Sequence, residues 1–371
     1  MRVRLVVLAV AVLAGAAPAA PARAQTAPVQ VTVTGRVQVQ WNSTSVTADE
    51  AGSQVPIASH TFETRRVRLG ARIRASDAVD GFLETDVALG RLQLKQAWMR
   101  VALDQSLSVR AGQFKKPFGL VELTSSAQLP IIERGVRIRG LTDVLAAQAD
   151  GRLGTLRGGL LLGEAYALVD AVGYAGYDLG VAVEGSHGRL AWSAGAFNGN
   201  GPDARDENDG KSVAARAVYA ADIGLPIAFG AGWSRREMNW PLATSPETRA
   251  GNAFGMDAEL GGFRSGWWVL ADATLGDNLL TDETFVAAQG VLSHFRATGG
   301  GPIEGVEAVG RMSWADPDRS VDGDAGMLLT PGVNLYFTGR NRVMFNWDVY
   351  VPEGSGMMTQ HAARAQANLY F

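Results

Sequence analysis

The chain has 371 residues, no cysteine, and 34 Lys+Arg against 37 Asp+Glu, a formal net charge of −3. Without cysteine it has no disulfide framework, no Cys metal site and no thiol nucleophile. Its length exceeds one ordinary soluble core, and no Pro-, Ser- or Gly-rich linker divides it into two.

Residues 1–24 read as a secretory signal peptide. Arg2 and Arg4 precede an apolar run from Leu5 to about Ala17, and Ala22-Arg23-Ala24 forms a cleavage pattern before Gln25. Losing Arg2, Arg4 and Arg23 leaves 31 basic against 37 acidic side chains. Residues 25–371 hold no apolar run long enough for a membrane helix.

Beyond Gln25, strand follows strand. "GRVQVQW" (35–41) sets Arg36, Gln38 and Gln40 against Val37, Val39 and Trp41. "RRVRLGARIR" (65–74) carries five arginines. As a strand it puts Arg66, Arg68, Arg72 and Arg74 on one face, with Gly70 between them. Val67, Leu69, Ala71 and Ile73 take the other face. As a helix the same arginines scatter around the axis. "GFLETDVAL" (81–89) follows, with Glu84 and Asp86 placed to pair with some of these arginines. Arg100 and Arg110 on the next strands extend the basic wall.

"KKPFGLVELTSSAQLPIIERGVRIRG" (115–140) is a long connection with Pro117 and Pro130. Folded inward, it would bring Lys115, Lys116, Arg134, Arg137 and Arg139 to a constriction, around 115–139. Folded outward, it is a rim loop with solvated charges. Later strands repeat the alternation: "GWWVLADATL" (266–275), "GVEAVGRMSW" (305–314) and "NRVMFNWDVYV" (341–351). Turn-rich acidic connections, "NGNGPDARDENDGK" (198–211) and "ADPDRSVDGDAG" (315–326), contrast with short ones, "GSHG" (185–188) and "TGRN" (338–341). A meander with two unlike rims has this pattern. The closing "RAQANLYF" (364–371) ends on Phe371, whose face also holds Leu369, Ala367 and Ala365.

The alternation fits a soluble sandwich or a transmembrane barrel. Length and the aromatic end favour the second: an all-β, transmembrane antiparallel β-barrel of about 16 strands, with 18 as the alternative. Arginine at the lipid midplane costs about 2–4 kcal/mol, so the arginine face must line the lumen. Residues 60–140 hold 14 Lys+Arg and 8 Asp+Glu. The basic wall is therefore local, and the rest of the chain is acidic. Arg66 to Arg74 advances about 26 Å along a strand, near the apolar height of such barrels, and reads as a guanidinium ladder across the membrane.

Three segments resemble the phosphate-selective porin O/P family of Gram-negative bacteria. "FETRRVRLGARIRA" (62–75) is similar to an early arginine-rich strand. "LKQAWMRVALDQSLSVRAGQFKKPFGLVELTSSAQLPIIERG" (94–135) is similar to a strand pair and the connection after it, most specifically in "GQFKKPFG" and "ELTSS". "WSAGAFNGNG" (192–201) matches a third segment. The resemblance implies a roughly 16-stranded, trimeric anion channel in the bacterial outer membrane. The expected function is passive diffusion of small anions, with phosphate as a candidate solute. A general diffusion porin without anion preference and a non-transporting structural or adhesive barrel are the alternatives. Outer-membrane lipid, lipopolysaccharide and the barrel assembly machinery, addressed by Phe371, are the expected partners, with no nucleic acid and no cofactor. An enzyme reading finds only His187 beside Ser186, in a hairpin-turn context. No G-x-S-x-G or H-E-x-x-H pattern is present. "DARDENDG" (203–210) lacks EF-hand ligand spacing.

Overall fold

The computed structural model describes residues 28–50, 53–90, 92–135, 137–138, 160–161, 172–202, 210–222, 224–239, 247–354 and 359–371. The segment 1–24 expected to be a signal peptide and most of the acidic segment 203–210 lie outside these residues. The described chain winds into one closed antiparallel barrel of sixteen strands. They are β1 (Gln30–Glu50), β2 (Ser53–Arg74), β3 (Val79–Asp86), β4 (Gln93–Ala102), β5 (Leu107–Lys115), β6 (Tyr177–His187), β7 (Leu190–Phe197) and β8 (Ser212–Asp222). Then follow β9 (Pro226–Asn239), β10 (Thr248–Gly261), β11 (Trp267–Asn278), β12 (Glu283–Ala297), β13 (Gly305–Asp316), β14 (Gly326–Tyr336), β15 (Arg342–Pro352) and β16 (Gln360–Tyr370). Each strand pairs with its neighbour in sequence, and β16 closes on β1. A further two-residue ladder joins 137–138 to 160–161.

Burial runs opposite to that of a soluble protein. Leu69, Met256, Met312 and Trp347, all on the outward face, are more than half exposed. Gln38, Gln40, Arg342 and Asn334, on the inward face, are at most 1% exposed. A belt of exposed apolar side chains on this scale is untenable in water and is what a bilayer solvates. Closing the barrel leaves no strand edge within the membrane, where an unpaired backbone group costs several kcal/mol.

The seam closes at the terminus. Gly35 N–H donates to the Phe371 carbonyl at 2.8 Å, and Phe371 N–H returns to the Gly35 carbonyl at 3.0 Å. The Phe371 ring lies where a Gly35 side chain would project: an added Cβ would stand 2.2 Å from it. The rim carrying this end also carries the tight turns 75–78, 103–106 and 188–189, and the turn 337–341. His187 sits exposed in the 188–189 hairpin, away from the lumen, as its Gly-Ser context suggests.

Two bulges alter the face assignments. Between β1 and β2 the register shifts at Gln38/Val39, so Arg65 is an extra residue. Between β3 and β4 it shifts at Glu84/Thr85, and Lys95 is extra. A bulge turns its extra residue to the face of its neighbour. Arg65 therefore joins Arg66 on the lumen side, and Lys95 joins Gln96.

The lumen is packed on one side. After Lys115 the chain turns inward through Phe118, a one-turn helix α1 (Leu120–Leu123) and the segment 124–135. Phe118 is fully buried among Tyr174, Ala253, Phe285 and Leu328. Gly232 and Gly255 make room for it, since a Cβ at either would approach its ring to 3.3 or 3.2 Å. Leu120, Val121, Leu129 and Ile131 pack on Trp268, Leu270, Val291 and Val309.

Wall side chains satisfy the inward backbone. Arg342 donates to Leu129 O at 2.7 Å, Asn334 to Pro130 O at 2.8 Å, and Ile132 N–H reaches Asn346 Oδ1 at 2.7 Å. Val121 N–H donates to Asp272 at 3.0 Å. A buried loop is stable only with such partners, and the polar inward face of β11–β15 supplies them.

Candidate functional site: a cationic lumen cavity

The unfilled side of the lumen is a cavity of about 750 Å³ against β1–β5 and the inward segment. Among the described residues ten cations line it: Arg36, Arg65, Arg66, Arg68, Lys95, Arg110, Lys115, Lys116, Arg134 and Arg236. Three described carboxylates face them: Glu84, Asp86 and Glu122. Far-wall acids do not reach it. Asp348 is held by Arg311 and Arg364, each at 2.8 Å. Glu307 accepts from Ser293, Asn334 and Tyr336 at 2.7–2.8 Å. Asp257 pairs with Arg216 at 2.5 Å. None of these three lines the cavity.

The arginines of β2 separate into different settings. Arg66 is buried and donates to Gln38 Oε1 at 2.9 Å. Arg68 is doubly paired, to Asp86 at 2.8 Å and to Glu84 at 3.1 Å. Glu84 also takes Arg36 at 3.3 Å. Arg65 grips Glu133 with two bonds, at 3.0 and 3.1 Å. Burial works to raise the Glu133 carboxyl, but the Arg65 charge and hydrogen bond outweigh it and hold the group below the usual range. Arg72 and Arg74 pair across to Thr32 and Gln30, past the level at which β16 ends. The run therefore covers the chain-end half of the barrel, not its full height. Arg74 sits at the rim and contacts Asp77 at 3.3 Å.

Farther around the wall, Arg100 pairs with Asp80 at 2.7 Å, and Arg110 with Glu184 at 3.0 Å. In the inward segment Lys115 meets Glu122 at 2.7 Å, and Lys116 lies 3.6 Å from Asp178. Arg134 donates to the carbonyls of Val121 at 3.1 Å and Thr124 at 2.6 Å, with Glu122 3.5 Å away. It both staples the segment and faces the cavity. The Arg137 side chain and all of Arg139 lie outside the described residues.

Residue alternation misses Arg65 and Lys95, because each belongs by parity to the lipid face until a bulge turns it. Arg36 stands on the expected polar face. Arg236 was hidden in a strand whose small residues carry little signal.

A closed sixteen-stranded barrel with a lipid-compatible exterior and a charged, partly open lumen defines an outer-membrane channel. Residues 31–239, more than half of the chain, match the phosphate-selective porin O and P family, and the chain belongs to that family. Its place is the outer membrane of Gram-negative bacteria. No curated protein sequence matches it.

Among solved structures, the fold is similar to the outer membrane channel DcaP of Acinetobacter baumannii. The TM-score is 0.60 at 12% identity, over 93% of this chain and 98% of that one. It is also similar to OprB of Pseudomonas putida, at 0.60 and 11% over 92% and 94%. A third is an anion-selective porin from Comamonas acidovorans, at 0.59 and 11% over 93% and 100%. These likenesses carry the fold alone.

Proposed function

We propose that the protein is a passive channel for small anions, with the path running between β1–β5 and the inward segment. The observation that carries this reading is the cavity lining, which among the described residues sets ten cations against three carboxylates. Cations spaced along a wall at two-residue intervals stand about 6.6 Å apart, within the Debye length of about 8 Å at physiological salt. An anion therefore feels the next site before leaving the last, which permits entry without trapping. Guanidinium forks suit the oxygens of phosphate or carboxylate. Phosphate is accordingly a solute we propose, with Arg65, Arg66 and Arg68 at the narrow part and Lys115, Lys116 and Arg134 opposite.

The competing reading is a general diffusion porin. It is favoured by the Glu84 and Asp86 pairs, which screen Arg36 and Arg68. We also propose cleavage before Gln25, Phe371 as the assembly signal, and a homotrimer in contact with lipopolysaccharide. A structural neighbour, OmpT of Vibrio cholerae, is described in a trimer form.

The test is the zero-current potential of the purified protein in a planar bilayer under a KCl gradient, with phosphate then titrated in at fixed chloride. The sign for Cl⁻ permeation, lost in an Arg65/Arg66/Arg68→Ala variant, supports the anion path. Block of chloride current by low phosphate adds an oxyanion site. A cation-selective channel would remove the reading.

A further inference from the structure

Aromatic rings interrupt the charged wall at one rung on the chain-end side. Register sets Arg72 opposite Phe82, and Phe82 opposite Trp98, on the lumen faces of β2, β3 and β4. The Arg72 guanidinium carbon lies 5.6 Å from the Phe82 ring centre. Phe82 and Trp98 stand 6.3 Å apart, tilted by 50°. The Arg110 guanidinium lies 4.5 Å above Trp98. The order across neighbouring strands is guanidinium, ring, ring, guanidinium.

Gly70 clears the space. A Cβ there would stand 3.0 Å from the Phe82 ring, so the missing rung of the arginine run is where this ring lies. Both rings are half-buried and keep part of their surface toward the lumen. Arg110 already pairs with Glu184. Arg72 is exposed and, among the described residues, has no carboxylate partner.

We propose that this rung is a docking shelf for aromatic carboxylates, anions of the benzoate type, at the chain-end mouth of the anion path, next to the Arg110 corner of the cavity. This inference rests on the anion-channel reading above. The open fork of Arg72 takes the carboxylate. The aromatic body packs against the open surface of Phe82 and Trp98, in the offset or edge-on contacts that rings prefer. Chloride and phosphate use only the charge; a benzoate also removes about 50 Å² of apolar surface from water. That area corresponds to about tenfold tighter binding than acetate, weak enough to leave the site free for transport.

The experiment measures block of chloride current through the full-length protein in planar bilayers, with benzoate and acetate titrated separately. Half-block by benzoate is expected at about tenfold lower concentration than by acetate. Trp98→Leu and Phe82→Leu should each reduce that ratio toward one while leaving acetate block in place. Arg72→Gln, at an exposed side chain, carries the same test if a ring variant fails to form channels: benzoate block should weaken. Equal block by the two anions in a chloride-selective channel overturns the shelf and leaves the anion reading standing. A benzoate preference that survives all three substitutions also overturns it. A cation-selective channel blocked by neither overturns the anion reading itself.

Discussion

Glu84→Gln isolates how much of the basic wall the solute feels. The Glu84 carboxylate is shared by Arg36 and Arg68 at 3.3 and 3.1 Å and lines the cavity. The substitution removes one negative charge and keeps the side-chain shape. Arg68 remains anchored by Asp86 at 2.8 Å, and Arg36 by Ser126 at 2.9 Å, so the wall geometry persists. For an anion passing about 7 Å from the carboxylate, the repulsion lost is about 0.6 kcal/mol in bulk water and about 2.4 kcal/mol at an effective dielectric of 20. Those energies correspond to about threefold and about sixtyfold higher anion occupancy. The buried carboxylate facing a solvent-filled cavity places the effect between these limits. The zero-current potential under a KCl gradient should move toward the chloride limit, by at least the threefold permeability change. The shift should shrink at high salt, where the Debye length falls to about 3 Å at 1 M. An unchanged or smaller anion preference would refute the reasoning, because it would place the ion path away from β2 and β3.

Other outcomes follow from single contacts. Phe118→Ala should destabilise by about 3–5 kcal/mol, the cost of emptying a fully buried aromatic site, read by denaturant unfolding in detergent. It should also raise single-channel conductance as the inward segment loosens. Unchanged conductance would place the segment off the path. Gly35→Val forces the Phe371 ring out over lipid. It should therefore cost about as much as Phe371→Ala, and the double variant should add little to either; additive losses would deny the contact. In the rim loop, burial and then Asp316 and Asp318 raise the Asp324 carboxyl to about 6. A raised carboxyl favours the protonated folded state, so its penalty is full above that value and fades as pH falls toward the unfolded value near 4. Asp324→Asn should raise the melting temperature at pH 7.5 and not at pH 4, and an equal rise at both would refute the assignment.

Much of the architecture was legible before any coordinates. Alternation in 35–41, 66–74, 305–314 and 341–351 assigns each residue to lipid or lumen, because a lipid-facing arginine or a lumen full of leucine would each be costly. The unlike connection lengths mark the two rims. Even the pairing of Glu84 and Asp86 with the arginines followed from placing adjacent strands side by side. The candidate site was less legible. Register sets Arg74 and Arg100 on the rim-side rung with Asp80, where Arg100 makes an ion pair and Arg74 turns to Asp77, and the alternation alone announces neither contact.

The side-chain period is written in the sequence, and with it the barrel, its membrane face and the local excess of cations. The folded barrel sets which of those cations line the cavity and which are held in ion pairs. Bulges carry no mark in the alternation, yet they turn Arg65 and Lys95 inward. Pairing depends on register across strands, so Arg68 is masked while Arg72 is not. The inward segment finds its hydrogen-bond partners some 150 to more than 200 residues away in sequence, in Asp272, Asn334, Arg342 and Asn346. A buried backbone requires such partners, and only the closed barrel brings them within reach.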